Sequence, residues 1–191
     1  MFVPLLCAVT NALAALLLAT WLAPGTTLVA DPAARAAYVR ENVLLWRLGW
    51  GSWIVATTTL LAFYIWWSGR LNAPRQRRIA LILAGVGYVS DMTAQTLLIA
   101  FVPDRPELTP LAFALTGGVT NTLYTIGGIL LSTVTPLPGL LKPWTAAVWA
   151  MSAGVSASVL FDLPLGAMIA SAGLYLLFVP WCVAIGRTLA R

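Results

Sequence analysis

Residues 79–102 read IALILAGVGYVSDMTAQTLLIAFV, an apolar run that carries one acidic side chain, Asp91, near its centre. About 20 predominantly apolar residues form a helix long enough to span the hydrocarbon core of a bilayer. A charged side chain at that depth costs about 2.5–3.5 kcal/mol on insertion scales, so an acid there is a candidate functional residue. The stretch therefore predicts a membrane-spanning helix and raises the question of what Asp91 does.

Further apolar runs of similar length lie on both sides of this one. The 191-residue chain is 60% hydrophobic and 9% charged, whereas a soluble domain carries about 25% charged residues. We therefore predict an all-α protein, a single transmembrane domain over residues 1–191 built as a bundle of six membrane helices. The predicted spans are 2–22, 43–67, 79–102, 110–134, 144–161 and 165–186.

The connections between these spans carry helix-breaking signals. Asp31-Pro32 is a capping residue followed by proline at the first helical position, which predicts a helical lead-in over 32–42 on the outer side. The segment 69–78 is predicted to be a charged loop. The first segment lacks a basic start and a small-residue cleavage site, so we interpret it as a span rather than a signal peptide.

The distribution of lysine and arginine predicts the orientation, because short cytoplasmic loops are enriched in both. Placing the N- and C-termini in the cytoplasm puts seven basic residues inside and three outside. The inner set is Arg70, Arg75, Arg77, Arg78, Lys142, Arg187 and Arg191, and the outer set is Arg35, Arg40 and Arg105. The alanine-, arginine- and tryptophan-rich composition is typical of a multi-pass protein of a bacterial inner membrane.

Polar side chains recur near the middle of every predicted span. Tyr88, Asp91 and Gln95 share one helical face at spacings of three and seven residues. The other spans contribute Asn11, Trp53 with Thr57, Asn121 with Tyr124, Ser152, and Tyr175. Lipid offers such groups no hydrogen-bond partner, so we expect them to turn inward and meet as one layer.

Two interpretations of this layer stay open. In the first, the layer forms a site for a small solute, a proton or a hydrophobic ligand, with Asp91 as its ionisable member. In the second, the layer joins helices through hydrogen bonds. We favour the joining role for Asn11, Asn121 and Ser152 individually. We favour a functional role for Asp91, because joining helices does not require an acid.

Arg47 and the tryptophans raise related questions. Arg47 lies near the outer end of the second span, where it can extend to the headgroups or pair with Asp91 or Glu41.

Most of the nine tryptophans are predicted to form interfacial belts: Trp21, Trp46 and Trp50 outside, and Trp66, Trp67, Trp144 and Trp181 inside. Trp53 lies deeper and is a candidate contact for a hydrophobic or cationic ligand.

No motif of enzymatic chemistry is visible. The chain contains no histidine, and its two cysteines, Cys7 and Cys182, have no metal-binding spacing. There is no nucleophile elbow and no phosphate-binding glycine loop. We therefore predict no catalytic residues, no metal, no cofactor and no nucleic-acid partner. An enzymatic activity is disfavoured, although Asp91 leaves it open.

Two functions from different classes remain. The first is a small transporter or channel-like binder, with candidate binding residues Asp91, Gln95, Tyr88, Asn121, Tyr124, Asn11, Arg47 and Trp53. The second is an accessory or assembly subunit of a larger membrane complex, in which the polar layer is structural. Small-residue faces such as Gly117/Asn121/Gly128 serve either the bundle or a homo-oligomer.

The stretch LLWRLGW at 44–50 and the acid-bearing third span resemble uncharacterised polytopic bacterial inner-membrane proteins. That resemblance implies a multi-pass helical fold. It implies no activity, because those proteins have no known function.

Overall fold

The computed structural model describes residues 1–29 and 31–190. The chain is all-helical, with 86% of residues in helices, and the described residues contain no strand. The α-helices are α1 (Phe2–Leu17), α2 (Pro32–Glu41), α3 (Val43–Ser68), α4 (Pro74–Thr96), α5 (Thr109–Phe113), α6 (Asn121–Thr133), α7 (Leu141–Leu160) and α8 (Pro164–Leu189).

Three π-helical segments continue or join these helices. They are Leu18–Leu22 after α1, Leu97–Phe101 after α4, and Ala114–Thr120 between α5 and α6. Short 3₁₀ turns lie at Ala23–Gly25 and Pro106–Leu108. As a result, residues 109–133 form one continuous helical rod made of α5, a π-helical segment and α6.

Four helical stretches are long and apolar enough to cross a membrane: Phe2–Gly25, Val43–Ser68, Pro74–Phe101 and Pro164–Leu189. The length and composition of these helices suggest a membrane protein. The rod 109–133 and helix α7 do not belong to this set, because threonine, serine, glycine and asparagine lower their mean hydropathy.

Six helical segments form a closed ring: α1, α3, α4, the rod 109–133, α7 and α8. They are called the six long helices below. Each packs against its neighbour in chain order, α1 on α3, α3 on α4, α4 on α6, α6 on α7 and α7 on α8, and α8 packs back on α1. Short connections make successive neighbours antiparallel. The ring therefore has two ends, and each end collects alternate connections.

The two ends differ in charge. One end, here called the acidic end, carries Asp31, Glu41, Asp104, Glu107 and Asp162, together with Arg35, Arg40 and Arg105. The other, here called the basic end, carries Arg70, Arg75, Arg77, Arg78, Lys142 and Arg187. Arg191, counted with this basic set in the sequence, lies outside the described residues.

Two helices begin earlier than the sequence pattern predicts. The expected loop 69–78 is helical from Pro74, and α7 begins at Leu141 rather than at 144. Pro74 occupies the first turn of α4, where its missing N–H is not needed by the helix. Arginines in that turn extend into solvent, so their charge does not prevent helix formation.

Helix α2 lies at the acidic end, where a lead-in was expected over 32–42. Asp31 caps it by accepting a hydrogen bond from the backbone N–H of Ala33 at 2.9 Å, and Pro32 fills the first helical position. The Tyr38 hydroxyl donates to the carbonyl of Trp21 at 2.5 Å, which ties α2 to the end of the first long helix.

Of the seven tryptophans interpreted as interfacial belts, four are buried between helices, whereas Trp21, Trp66 and Trp144 keep exposed surface. Trp46, Trp67 and Trp181 are completely buried, and Trp50 is 3% exposed. At the basic end, Phe63, Trp67, Trp149 and Trp181 form a cluster with ring centroids 5.4–6.0 Å apart. Hydropathy and depth alone do not distinguish an indole that faces lipid from one that faces a neighbouring helix.

Small residues allow this close packing. A Cβ added at Gly128 would meet the ring of Trp149, and one at Gly166 would lie 2.7 Å from the Ser158 hydroxyl. These glycine faces are therefore packed inside the bundle, as expected for small residues between membrane helices.

Candidate functional site

The ring of helices borders a partly open cavity of about 320 Å³. All six long helices contribute to its wall, and residues 26–28 line it at the acidic end. Its base lies near mid-depth, where the Tyr64 hydroxyl donates to the Tyr124 carbonyl at 2.6 Å above the aromatic cluster. The volume lies at the lower end of the roughly 300–1,000 Å³ typical of small-molecule sites.

Asp91 lies in the wall of this cavity and is 3% exposed. One of its carboxyl oxygens accepts a hydrogen bond from the hydroxyl of Thr57 on α3. The other accepts from the side-chain amide of Gln95, one turn further along its own helix, at 3.3 Å. Both partners are neutral, and the described residues that line the cavity include no lysine or arginine.

Four buried polar atoms in the described part of the chain have no hydrogen-bond partner: the indole nitrogens of Trp50 and Trp53, the Tyr124 hydroxyl and the Gln95 amide oxygen. Leaving such a group unsatisfied costs about 1–3 kcal/mol. Trp50, Trp53 and Tyr124 line the cavity, and Gln95 contacts Asp91. Three of the four residues that carry an unpartnered atom therefore line the cavity, and the fourth bonds Asp91.

An aromatic row runs along the cavity wall. Trp50 packs edge-on against Phe113 with centroids 5.7 Å apart and lies 6.2 Å from Trp53. Trp53 in turn meets Tyr175 of α8 edge-on at 5.7 Å. The row connects three helices that are far apart in sequence, and it presents aromatic rings beside the carboxyl group.

The π-helical segment Ala114–Thr120 supplies Thr116, Gly117 and Thr120 to the wall. π-Helical turns are rare and occur frequently at functional sites. Here the segment faces Asp91 from the rod 109–133, and the Thr120 hydroxyl donates to the Gly87 carbonyl at 3.2 Å. The irregular turn therefore borders the cavity while remaining bonded to α4.

The expected single polar layer is divided into separate networks. Asn121 donates to the Ser152 carbonyl at 2.6 Å and to the Ser156 hydroxyl at 2.9 Å, and its oxygen accepts from Ser152 at 3.1 Å. Thr125 completes this network with a 2.7 Å bond to Ser152. These side chains join α6 to α7 although Asn121 also borders the cavity.

Asn11 has a similar structural role. Its amide donates to the Cys7 carbonyl of its own helix at 2.9 Å and lies 3.5 Å from the Ala56 carbonyl of α3. It lines the cavity without a bond to Asp91. Helix crossing angles decide which polar groups meet, so equal depth along the spans does not bring all of them into one cluster.

Three of the predicted binding residues lie outside the cavity wall: Gln95, which bonds Asp91 from behind, and Arg47 and Tyr88. Arg47 is exposed and donates to the Ile99 carbonyl at 3.2 Å, next to the bond from Trp46 to the Leu98 carbonyl at 2.6 Å. These carbonyls lie in the last helical turn before the acidic end, where they have no partner within the helix. Arg47 therefore does not pair with Asp91, and Tyr88 is half-buried away from the cavity lining.

The residue set predicted from the sequence omitted several wall residues. Trp50 and Phe113 line the cavity, and so do Thr57 and Tyr175, which were expected in the polar layer but not among the binding residues. Thr57 bonds Asp91 directly. One signal was present in the sequence: Trp50, Trp53 and Thr57 are spaced by three and seven residues, so they share a face of α3. Phe113 had no such signal, because its position depends on how the rod packs.

Neither a scan of protein-family profiles nor searches of curated proteins and solved structures find a match to this chain.

Proposed function

We propose that this chain is a multi-pass membrane protein that binds a small molecule in its interior cavity, as a transporter or channel-like binder does. The observation that carries the proposal is the cavity itself, whose wall contains a buried carboxyl group together with indole and phenol side chains whose polar atoms have no partner. A concave, mostly apolar pocket with a few convergent polar groups is the usual form of a small-molecule site.

The proposed topology has six spans. The rod 109–133 and α7 pack between membrane-length helices in the same ring. Their polar side chains bond one another, as Asn121, Thr125 and Ser152 do. Membrane helices tolerate such groups when their hydrogen bonds are made inside the protein. Low hydropathy therefore does not argue against a position in the bilayer.

The proposed orientation places the basic end, and with it both ends of the chain, in the cytoplasm of a bacterial inner membrane. The described residues at that end include six basic side chains, and the acids of the connecting segments lie at the opposite end. This asymmetry is the positive-inside pattern. The cavity would then extend from mid-depth toward the outer face.

The alternative function, an accessory subunit with a structural polar layer, accounts for the bonds of Asn121 and Ser152. It leaves Asp91 and the unpartnered donors of Trp50 and Trp53 without a role. The binding function accounts for the bonded residues and for these groups together. Asn121 and Ser152 join α6 to α7, and Asp91, Trp50 and Trp53 line the cavity that takes the ligand.

Cysteine labelling tests the proposal. Thr116→Cys places a thiol in the cavity wall, and Ala84→Cys places one in α4 at a buried position that does not line the cavity. In membranes, hydroxyethyl methanethiosulfonate should modify the first at least tenfold faster than the second. The unsubstituted chain, whose two cysteines are buried, gives the background rate. Equal, slow modification at both positions would contradict a water-accessible site.

The topology has its own labelling test. Asn72 and Asp104 are exposed in connecting segments at opposite ends of the bundle. Cysteines at these positions should react with an impermeant maleimide from opposite sides of the membrane, and position 72 should react from the cytoplasmic side. Reaction of both from one side would rule out the six-span arrangement.

A further inference from the structure

We propose that the cavity binds a small organic cation, a protonated or quaternary amine with an apolar body, with Asp91 as its counter-ion. This inference rests on the proposed binding function and specifies the ligand class. It joins three features of the site: one carboxyl group without a cationic partner, a wall of aromatic rings, and a position toward the acidic end.

The charge of the site favours a cation. Among the described residues that line the cavity, Asp91 is acidic and none is basic. Its two hydrogen bonds come from neutral groups, Thr57 and Gln95. Buried charges in proteins are normally paired, and an intramembrane acid commonly serves as a counter-ion for a ligand. An anionic ligand would meet Asp91 without any compensating positive side chain.

The aromatic wall supports the same class of ligand. Ammonium groups are attracted to the faces of tryptophan, tyrosine and phenylalanine rings, and the attraction is larger where water is excluded. Trp50, Trp53 and Tyr175 border the cavity together with Asp91. A ligand of this kind would place its charge near the carboxyl group and its apolar body against the rings.

The unpartnered donors add a detail. The indole N–H groups of Trp50 and Trp53 and the Tyr124 hydroxyl need acceptors. These buried atoms meet a ligand only when the side chains turn toward it, and the acceptor that then fits is a neutral oxygen, as in an alcohol, ether or carbonyl group, because the wall has no basic partner for a carboxylate. The cavity of about 320 Å³ limits the ligand to roughly the size of one substituted aromatic ring.

Access to the cavity fits a cation as well. The cavity is lined at the acidic end by residues 26–28, and this end carries five acidic side chains against three arginines in its connecting segments. The basic end carries six described basic side chains and no acid. Charged clefts raise the local concentration of oppositely charged ligands, so a cation is repelled less at the acidic end.

The test compares three probes that share a benzene ring. Benzyltrimethylammonium is the cation, 2,2-dimethylpropylbenzene is its neutral isostere, and benzenesulfonate is the anion. Binding of radiolabelled benzyltrimethylammonium to the full chain in detergent is measured by equilibrium dialysis, with the other two as competitors. The cation should bind saturably, and each competitor should be at least tenfold weaker.

Asp91→Asn should weaken binding of the cation by tenfold or more, because the amide keeps the shape of the side chain without its charge. Asp162→Asn is the matched control, since Asp162 is exposed and its positive φ of 53° suits asparagine equally. It should change binding by less than twofold, because it removes only one of the exposed acids at that end. Trp53→Leu should weaken binding by about tenfold, and Trp53→Phe by less, since phenylalanine keeps a ring face.

The outcomes separate the two proposals. Equal binding of the cation and its neutral isostere would overturn the cation inference and leave the binding function intact. Failure of all three probes, with Thr116→Cys still accessible, would likewise overturn the inference alone. An inaccessible cysteine at position 116 would overturn the binding function. If Asp91→Asn does not fold, the comparison of probes on the unsubstituted chain decides.

Discussion

Near the basic end of the bundle, buried indole N–H groups donate to hydroxyls of neighbouring segments, whereas two tryptophans that line the cavity have an indole N–H without a partner. Trp67 donates to Thr135 at 2.9 Å and Trp181 to Thr145 at 2.7 Å. Trp50 and Trp53 have no equivalent hydroxyl. The same side chain is therefore used in two ways within one ring of helices.

The two regions also differ in packing. At the basic end, aromatic rings fill the space between helices, and Trp149 donates to Ser132 at 2.9 Å within the same cluster. Toward the acidic end, the helices leave a cavity bordered by a π-helical segment. Where the bundle is built for stability, its polar atoms are bonded, so unbonded atoms beside a cavity indicate a site.

The largest loss of stability is expected from adding side-chain volume near the basic end. Gly128→Leu should lower the stability by about 3 kcal/mol or prevent folding, because even a Cβ there meets the ring of Trp149. Gly85→Leu is the control, since no neighbouring atom lies within 4 Å of its added Cβ. Thermal unfolding in detergent measures both. Similar melting temperatures for the two variants would contradict the close packing at Gly128.

The next effect concerns the centre of the cavity. Asp91→Leu should cost about 2 kcal/mol, because it leaves the Thr57 hydroxyl and the Gln95 amide without their common acceptor. Asp91→Asn should cost less than about 0.5 kcal/mol, because the amide oxygen can accept from Thr57 and the amide NH2 can donate to the Gln95 oxygen, which has no partner. Denaturation monitored by circular dichroism distinguishes the two. Equal losses of stability in the two variants would show that the negative charge of Asp91, rather than its hydrogen-bond acceptors, stabilises the fold.

A smaller effect is expected from one hydroxyl at the basic end. Thr145→Val should cost about 1 kcal/mol, because the buried indole N–H of Trp181 loses its acceptor. Thr133→Val, which removes an exposed hydroxyl bonded to its own helix, is the control and should change stability little. A loss as large in the control would remove the distinction between partnered and solvent-facing hydroxyls.

The smallest effect on stability is expected in the aromatic row. Trp53→Phe should change the free energy of unfolding by less than about 0.5 kcal/mol, because the N–H that it removes has no partner and a ring remains beside Tyr175. Trp181→Phe, which removes a bonded N–H, should cost more. The comparison by thermal unfolding would fail if the two tryptophans were equally sensitive.

Much of the fold could be predicted from the sequence, because helix formation in a membrane depends on local properties. The all-helical class follows from apolar runs that alternate with charged or proline-containing connections. The helix after Asp31-Pro32 follows from a cap that acts within one turn. The sequence pattern places the starts of α4 and α7 too late. Arginine and lysine are typical of loops, but they also fit an exposed first helical turn.

The candidate site was predictable only in part. Asp91 was recognisable from the local sequence, since an acid in the middle of an apolar run stands out on any hydropathy scale. Arg47 and Tyr88 were wrongly grouped with it, and Phe113 was missed, because grouping requires knowledge of which helix faces meet. Asn121 and Asp91, expected in one layer, have different partners.

The sequence by itself determined that the chain forms apolar helices, where each begins and ends within a few residues, and that one carries an acid at its centre. The tertiary structure alone decided that the helices close into a ring, that Thr57 reaches Asp91, and that Trp67 has a hydroxyl partner where Trp53 has none. The physical reason is range: length, capping and hydropathy act within one helix. A hydrogen bond between helices depends on their rotation and crossing, which the packing of all six decides together.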